Sequence, residues 1–128
     1  MSAYAPGTVY LVTLPFEGGE GGKRRPVVLV GRPDYWAADR SAVVCPVTTV
    51  PSRVGDVAID WRAARLERPS RVRPRPQTIA KARMEWKLGS LGPGDLAALK
   101  AALRAVLDLD RPAEAAPAAG PRDASVVG

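Results

Sequence analysis

Up to Gly92 the apolar residues of this chain come in short, branched runs; beyond it they recur at helical spacing, and that contrast limits the fold more than any other feature. Residues 7–14 read GTVYLVTL, 27–30 read VVLV, 42–49 read AVVCPVTT and 56–61 read DVAIDW. β-Branched and aromatic side chains suit a pleated surface, so each run predicts a strand. Residues 77–84 are ambiguous between a strand end and a helical turn, and 86–89 predict a short strand. Gly92-Pro93-Gly94-Asp95 then starts a helix. Pro93 fits a first turn and Asp95 complements the dipole. Leu96, Leu99, Leu103, Val106 and Leu107 form one apolar stripe. The whole predicts a mainly β chain: an antiparallel barrel of about five to seven strands with a C-terminal helix packed on it.

Between the first two strands lies Gly18-Gly19-Glu20-Gly21-Gly22-Lys23-Arg24-Arg25-Pro26. A flexible loop carries one carboxylate and delivers three cations to the mouth of an apolar strand. Pro26 lacks an N–H, so it belongs at a strand start or edge, with Arg25 where loop becomes sheet. On pattern alone the segment reads equally well as a hairpin loop with solvated charges. It is no phosphate-binding GxxxxGK[ST] loop: Glu17 replaces the first glycine, Arg24 the hydroxyl residue, and a strand follows. Pro46 likewise argues for an edge or a bulge in its strand. Asp34 is placed to cap a short helical turn over 35–38.

Composition removes whole classes of chemistry. The chain has 128 residues, one cysteine and no histidine. That excludes an internal disulfide, imidazole-based nucleophilic catalysis and histidine metal sites, and no cofactor is expected. The start lacks the charge and apolar pattern of a signal peptide, which suggests a cytoplasmic protein. The formal net charge of +6 favours anionic partners. The cations concentrate at Arg62, Arg65, Arg68, Arg71, Arg73 and Arg75, followed by Lys81, Arg83 and Lys87. On strand spacing Arg71, Arg73 and Arg75 share a face able to neutralise phosphates, or else a solvated one. Trp61 and Trp86 flank this zone, as core residues or as platforms for bases. The folded domain is expected over residues 1–110, and the Pro/Ala-rich stretch 111–128 as a disordered tail.

Four pieces of the chain resemble the MazF/PemK toxins of bacterial type II toxin–antitoxin modules, over about residues 7–109. They are Gly7-Thr8-Val9-Tyr10; Glu20 followed by Arg25-Pro26-Val27; Cys45-Pro46-Val47-Thr48-Thr49; and Leu88-Gly89-Ser90-Leu91 before the leucine stripe. The resemblance implies an SH3-like barrel of the CcdB/PemK type, usually a homodimer. It implies an mRNA interferase: a metal-independent endoribonuclease that cuts single-stranded RNA by 2′-hydroxyl attack and is neutralised by a cognate antitoxin. Carried over by motif, Arg25 and Thr48 are the catalytic pair and Glu20 a loop residue near the RNA. Lys23, Arg24, Thr49, Arg71, Arg73, Arg75 and Gln77 are expected to bind RNA. One segment departs from the family: Arg75-Pro76-Gln77-Thr78 stands where a Gln-hydrophobic-cation-hydroxyl order is common.

The chemistry of the residues agrees with this. A phosphorane-like transition state gathers charge on non-bridging oxygens, which a guanidinium meets with two parallel donors. Arginine keeps its proton, so Arg25 is assigned to charge stabilisation and Glu20 is the possible base. Two other readings stay open from the sequence: a catalytically silent nucleic-acid-binding barrel, and a toxin that binds a protein target such as gyrase.

Overall fold

A computed structural model describes residues 5–15, 22–32, 40–51 and 53–113. The strands are β1 (Thr8–Pro15), β2 (Gly22–Val30), β3 (Ser41–Thr48), β4 (Val57–Ala58), β5 (Arg71–Val72), β6 (Gln77–Ala80) and β7 (Met84–Ser90). Helix α1 (Pro93–Val106) follows. The strands run in the order β4-β5-β3-β2-β1-β7, with β6 also on β3, and every ladder is antiparallel. The turn over 35–38, Glu20 and residues 114–128 lie outside the described residues.

The inner strands are apolar on both faces because each face has its own core. Val9, Val28, Val30, Cys45, Val47, Val72 and Leu99 pack on one side. Tyr10, Val12, Val27, Leu29, Val44 and Ile79 pack on the other. That explains why 27–30 is a continuous apolar run rather than an alternating one. Helix α1 buries Leu99 fully and lays Leu96 and Leu103 against the first core, whereas Val106 and Leu107 stay half exposed.

Several elements differ from expectation. The second strand starts at Gly22, so Arg25 lies inside a strand, opposite Val12, rather than at the end of a loop. Gly22 permits this, since a Cβ there would stand 2.9 Å from the Leu14 carbonyl oxygen. The expected strand over 56–61 shrinks to Val57–Ala58. The chain then turns: Asp60 Oδ1 accepts the Ala63 N–H at 3.2 Å, and Leu66 N–H reaches the Trp61 carbonyl at 2.9 Å. Residues 77–83 resolve into strand β6 and a 3-10 turn, and Met84 opens β7.

The two prolines do more than mark edges. β3 is central, not an edge, yet Pro46 falls in a gap on one flank. There β6 ends opposite Val44 and β5 begins opposite Val47. On that flank the Pro46 carbonyl accepts the Arg73 N–H at 2.9 Å. A residue's N–H and C=O point to the same side of a strand, so the missing N–H costs no ladder bond. The β2–β3 ladder stops at Val27 opposite Pro46, and Pro26 has no N–H with which to extend it. Beyond this point β2 and β3 are unzipped.

Candidate functional site

The unzipped end is where Lys23, Arg24, Arg25, Thr48 and Thr49 meet. Continuing the β2–β3 register two residues past Val27 and Pro46 brings Arg25 opposite Thr48. On its other flank Thr48 pairs directly with Arg71 of β5. Directly opposed residues in antiparallel strands share a face. The row Arg25, Thr48, Arg71 therefore sets a hydroxyl between two guanidinium-bearing positions. A cleft of about 380 Å³ opens there, lined by Lys23, Arg24, Arg25, Thr48, Thr49 and Ser70 among others. Arg25 is exposed, so its guanidinium is accessible without being part of the core.

Thr48 is more than a solvated strand former. Its Oγ1 accepts the Val50 N–H at 3.1 Å. That fixes the oxygen and leaves the hydroxyl proton to donate elsewhere. The side chain thus holds the turn at the cleft's edge and offers one neutral donor beside two cations.

Arg24 points to the opposite face of β2, as alternation requires. Its guanidinium carbon lies 4.2 Å from the centre of the Trp86 ring, and its Nε 3.9 Å from Glu85 Oε1. Trp86 is 49% exposed, so it is a surface aromatic and not a core residue. Trp61 is half-buried, with the Arg62 guanidinium 4.6 Å from its ring centre.

A second cleft of about 600 Å³ adjoins the first and shares Lys23, Arg24, Pro26, Thr49 and Ser70 with it. Leu11, Leu66 and Leu88 line it, together with Arg65 and Arg68. Arg65 and Arg68 were part of the arginine-rich stretch, but nothing in their spacing marks them as cleft residues.

The stripe Arg71, Arg73 and Arg75 does not form. β5 ends at Val72, and Arg75 N–H bends back to the Arg73 carbonyl at 2.7 Å across Pro74, which breaks the alternation. Arg71 stays paired with Thr48 but lines neither cleft. Arg73 turns inward: its side chain is 19% exposed, and its Nε meets Asp56 Oδ2 at 3.4 Å, with the Asp56 side chain 4% exposed. Arg73 is therefore a structural cation. Arg75 and Gln77 are exposed but line neither cleft. Gln77 pairs with Val44, four residues along β3 from Thr48, about 13 Å at strand rise.

A family model described as the PemK-like, MazF-like toxin of type II toxin-antitoxin system matches residues 5–107. The chain belongs to this family. Among solved structures it resembles an endoribonuclease in complex with its cognate antitoxin from a Mycobacterial species, with TM-score 0.73, 20% identity and 86% and 100% of the two chains covered. It also resembles the Mycobacterium tuberculosis toxin MazF-mt6, with TM-score 0.64, 26% identity and coverage of 80% and 99%. A MazE-MazF structure from Deinococcus radiodurans gives TM-score 0.68, 18% identity and coverage of 80% and 94%. A comparison with curated proteins finds no match. These likenesses agree with the antiparallel barrel and terminal helix. Among the described residues no helix is long and apolar enough to cross a membrane.

Proposed function

We propose that this PemK/MazF-family chain is an endoribonuclease toxin that cleaves single-stranded RNA by attack of a ribose 2′-hydroxyl on the adjacent phosphate, with no metal ion in the reaction. The observation that supports it most is the row Arg25, Thr48, Arg71 at the unzipped end of β2 and β3. Charge grows on the non-bridging oxygens as the 2′-oxygen bonds to phosphorus. The Arg25 guanidinium meets that charge with paired donors, and the Thr48 hydroxyl adds one more. Arg71, Lys23, Arg24 and Thr49 hold the strand on either side. Glu20 is the proposed base that takes the 2′-hydroxyl proton. The P–O5′ bond then breaks, the departing 5′-oxygen takes a proton from water, and a 2′,3′-cyclic phosphate is left.

The partners follow from the same face. An acidic antitoxin covering the cationic clefts blocks the RNA, and the chain works as a cytoplasmic homodimer. The direct test is incubation with single-stranded RNA in EDTA. Cleavage leaving cyclic-phosphate ends is expected. RNA bound but uncut would instead favour a silent binding barrel.

A further inference from the structure

Arg65 occupies a backbone conformation that its side chain disfavours. Its φ is 64°, in the left-handed region usually given to glycine or asparagine. It closes the turn after Asp60, where Arg65 N–H bonds the Arg62 carbonyl at 3.0 Å. This is the position at which a helical turn ordinarily takes glycine. The turn is anchored on both sides. Asp60 N–H donates to Asp95 Oδ2 of α1 at 2.7 Å. On β7, a Cβ added at Gly89 would stand 2.6 Å from the Ala64 carbonyl oxygen and 2.8 Å from Arg65 Cγ. The Arg65 stem therefore lies directly across the Gly89 backbone. That contact aims an arginine into the second cleft from a position where glycine would be more stable.

The cleft has two chemistries. Leu11, Leu66 and Leu88 make its apolar part; Lys23, Arg24, Arg65 and Arg68 are its cations, against the single carboxylate of Glu67. An apolar slot with cations beside it suits a nucleotide: a flat base on the leucines and a phosphate at the cations. We propose that this cleft is a subsite for a nucleotide flanking the scissile phosphate, with Arg65 binding that nucleotide's phosphate. The inference rests on the ribonuclease reading, because the subsite is continuous with the Arg25–Thr48 cleft.

The test uses the full chain and a single-stranded RNA containing a mapped cleavage site, with 2′-deoxyribose at the reacting nucleotide so that it binds uncut. Affinity is measured by fluorescence anisotropy across a salt series for wild type, Arg65→Gly, Arg65→Met and Arg65→Lys, with melting of each variant. Arg65→Gly should melt at or a few degrees above wild type, since the left-handed position no longer carries a side chain. It should bind about 5- to 20-fold more weakly, with a salt slope shallower by about 0.7, the value of one lost phosphate contact on a single strand. Arg65→Met keeps the stem and should lose as much affinity; Arg65→Lys should recover part of it. An abasic nucleotide beside the scissile bond should weaken wild type about tenfold. Wild-type affinity and slope in both Arg65→Gly and Arg65→Met overturn the subsite while leaving the ribonuclease intact. A wild-type protein that neither binds nor cuts RNA overturns both.

Discussion

Removing the Asp56 carboxylate should show that Arg73 belongs to the fold and not to the RNA surface. Asp56 Oδ2 accepts from Arg73 Nε at 3.4 Å and from the Arg53 N–H at 3.2 Å. Arg73 Nη2 is buried and has no hydrogen-bond partner among the described residues. Asp56→Ala therefore leaves an already under-satisfied guanidinium facing a low-dielectric pocket. Breaking a buried pair costs about 3–5 kcal/mol. Arg73 keeps 19% exposure, which favours the lower end, about 3 kcal/mol. About 100 folded residues have an unfolding entropy near 0.2 kcal/mol/K, so Tm should fall by about 15 °C. Replacing both partners with apolar residues, Asp56→Leu with Arg73→Met, should recover much of the loss, because no charge is then stranded. The assay is thermal melting by circular dichroism, with RNA affinity measured well below each midpoint. Asp56→Ala melting within about 2 °C of wild type would refute the reasoning. So would Arg73→Met that melts normally but binds RNA poorly.

Four further outcomes are expected. Gly89→Ala should cost about 1–3 kcal/mol and weaken RNA binding, because the new Cβ meets backbone at Ala64 and must displace the Arg65 turn; melting and anisotropy check both. Burial pushes the Cys45 thiol up to about 11 from 9.0, against a smaller lowering by a hydrogen bond from the Arg75 backbone, so it should resist thiol reagents at neutral pH until the chain unfolds. Its contribution to stability is fully present below about pH 9 and is lost as pH rises to about 11, because the unfolded thiol ionises first; a melting series over that range tests it. Ending the chain after Asp110 should shift Tm by less than about 2 °C, since 111–128 offers too little apolar area to offset its ordering.

Much of this was legible in the sequence, and the gaps have physical causes. The first three strands and the helix announce themselves because each buries enough branched or periodic residues to leave a pattern. β5 is two residues long, too short for alternation to register, and β4 keeps only two of the six residues whose pattern predicts a strand. The arginine stripe failed because Pro74 and a tight backbone bend interrupt the two-residue period just after Val72. Pro26 and Pro46 were recognisable as ladder breakers, but only the register shows that both act at one place and open the cleft. Arg25 and Thr48 came from motif resemblance. Their opposition across the unzipped strands, and the exposure of Trp86, depend on pairings distant in sequence. Arg65 was legible only as one cation of the arginine-rich stretch, since what sets it apart is a backbone angle.

The most direct measurement is single-turnover cleavage of a susceptible single-stranded RNA by wild type, Arg25→Ala, Thr48→Ala and Arg24→Ala, with folding checked by melting. Arg25 is exposed, so its loss should leave the fold intact. Cleavage should nevertheless fall by about two to three powers of ten, the usual cost of a principal charge stabiliser. Thr48→Ala should cost less, having removed one neutral donor and the bond to Val50 N–H. Arg24→Ala should chiefly weaken binding and flatten its salt dependence, because its guanidinium sits over Trp86 on the other face of β2. Full activity in Arg25→Ala, or an equal loss of the cleavage step in Arg24→Ala, would contradict a reaction centred on Arg25 and Thr48.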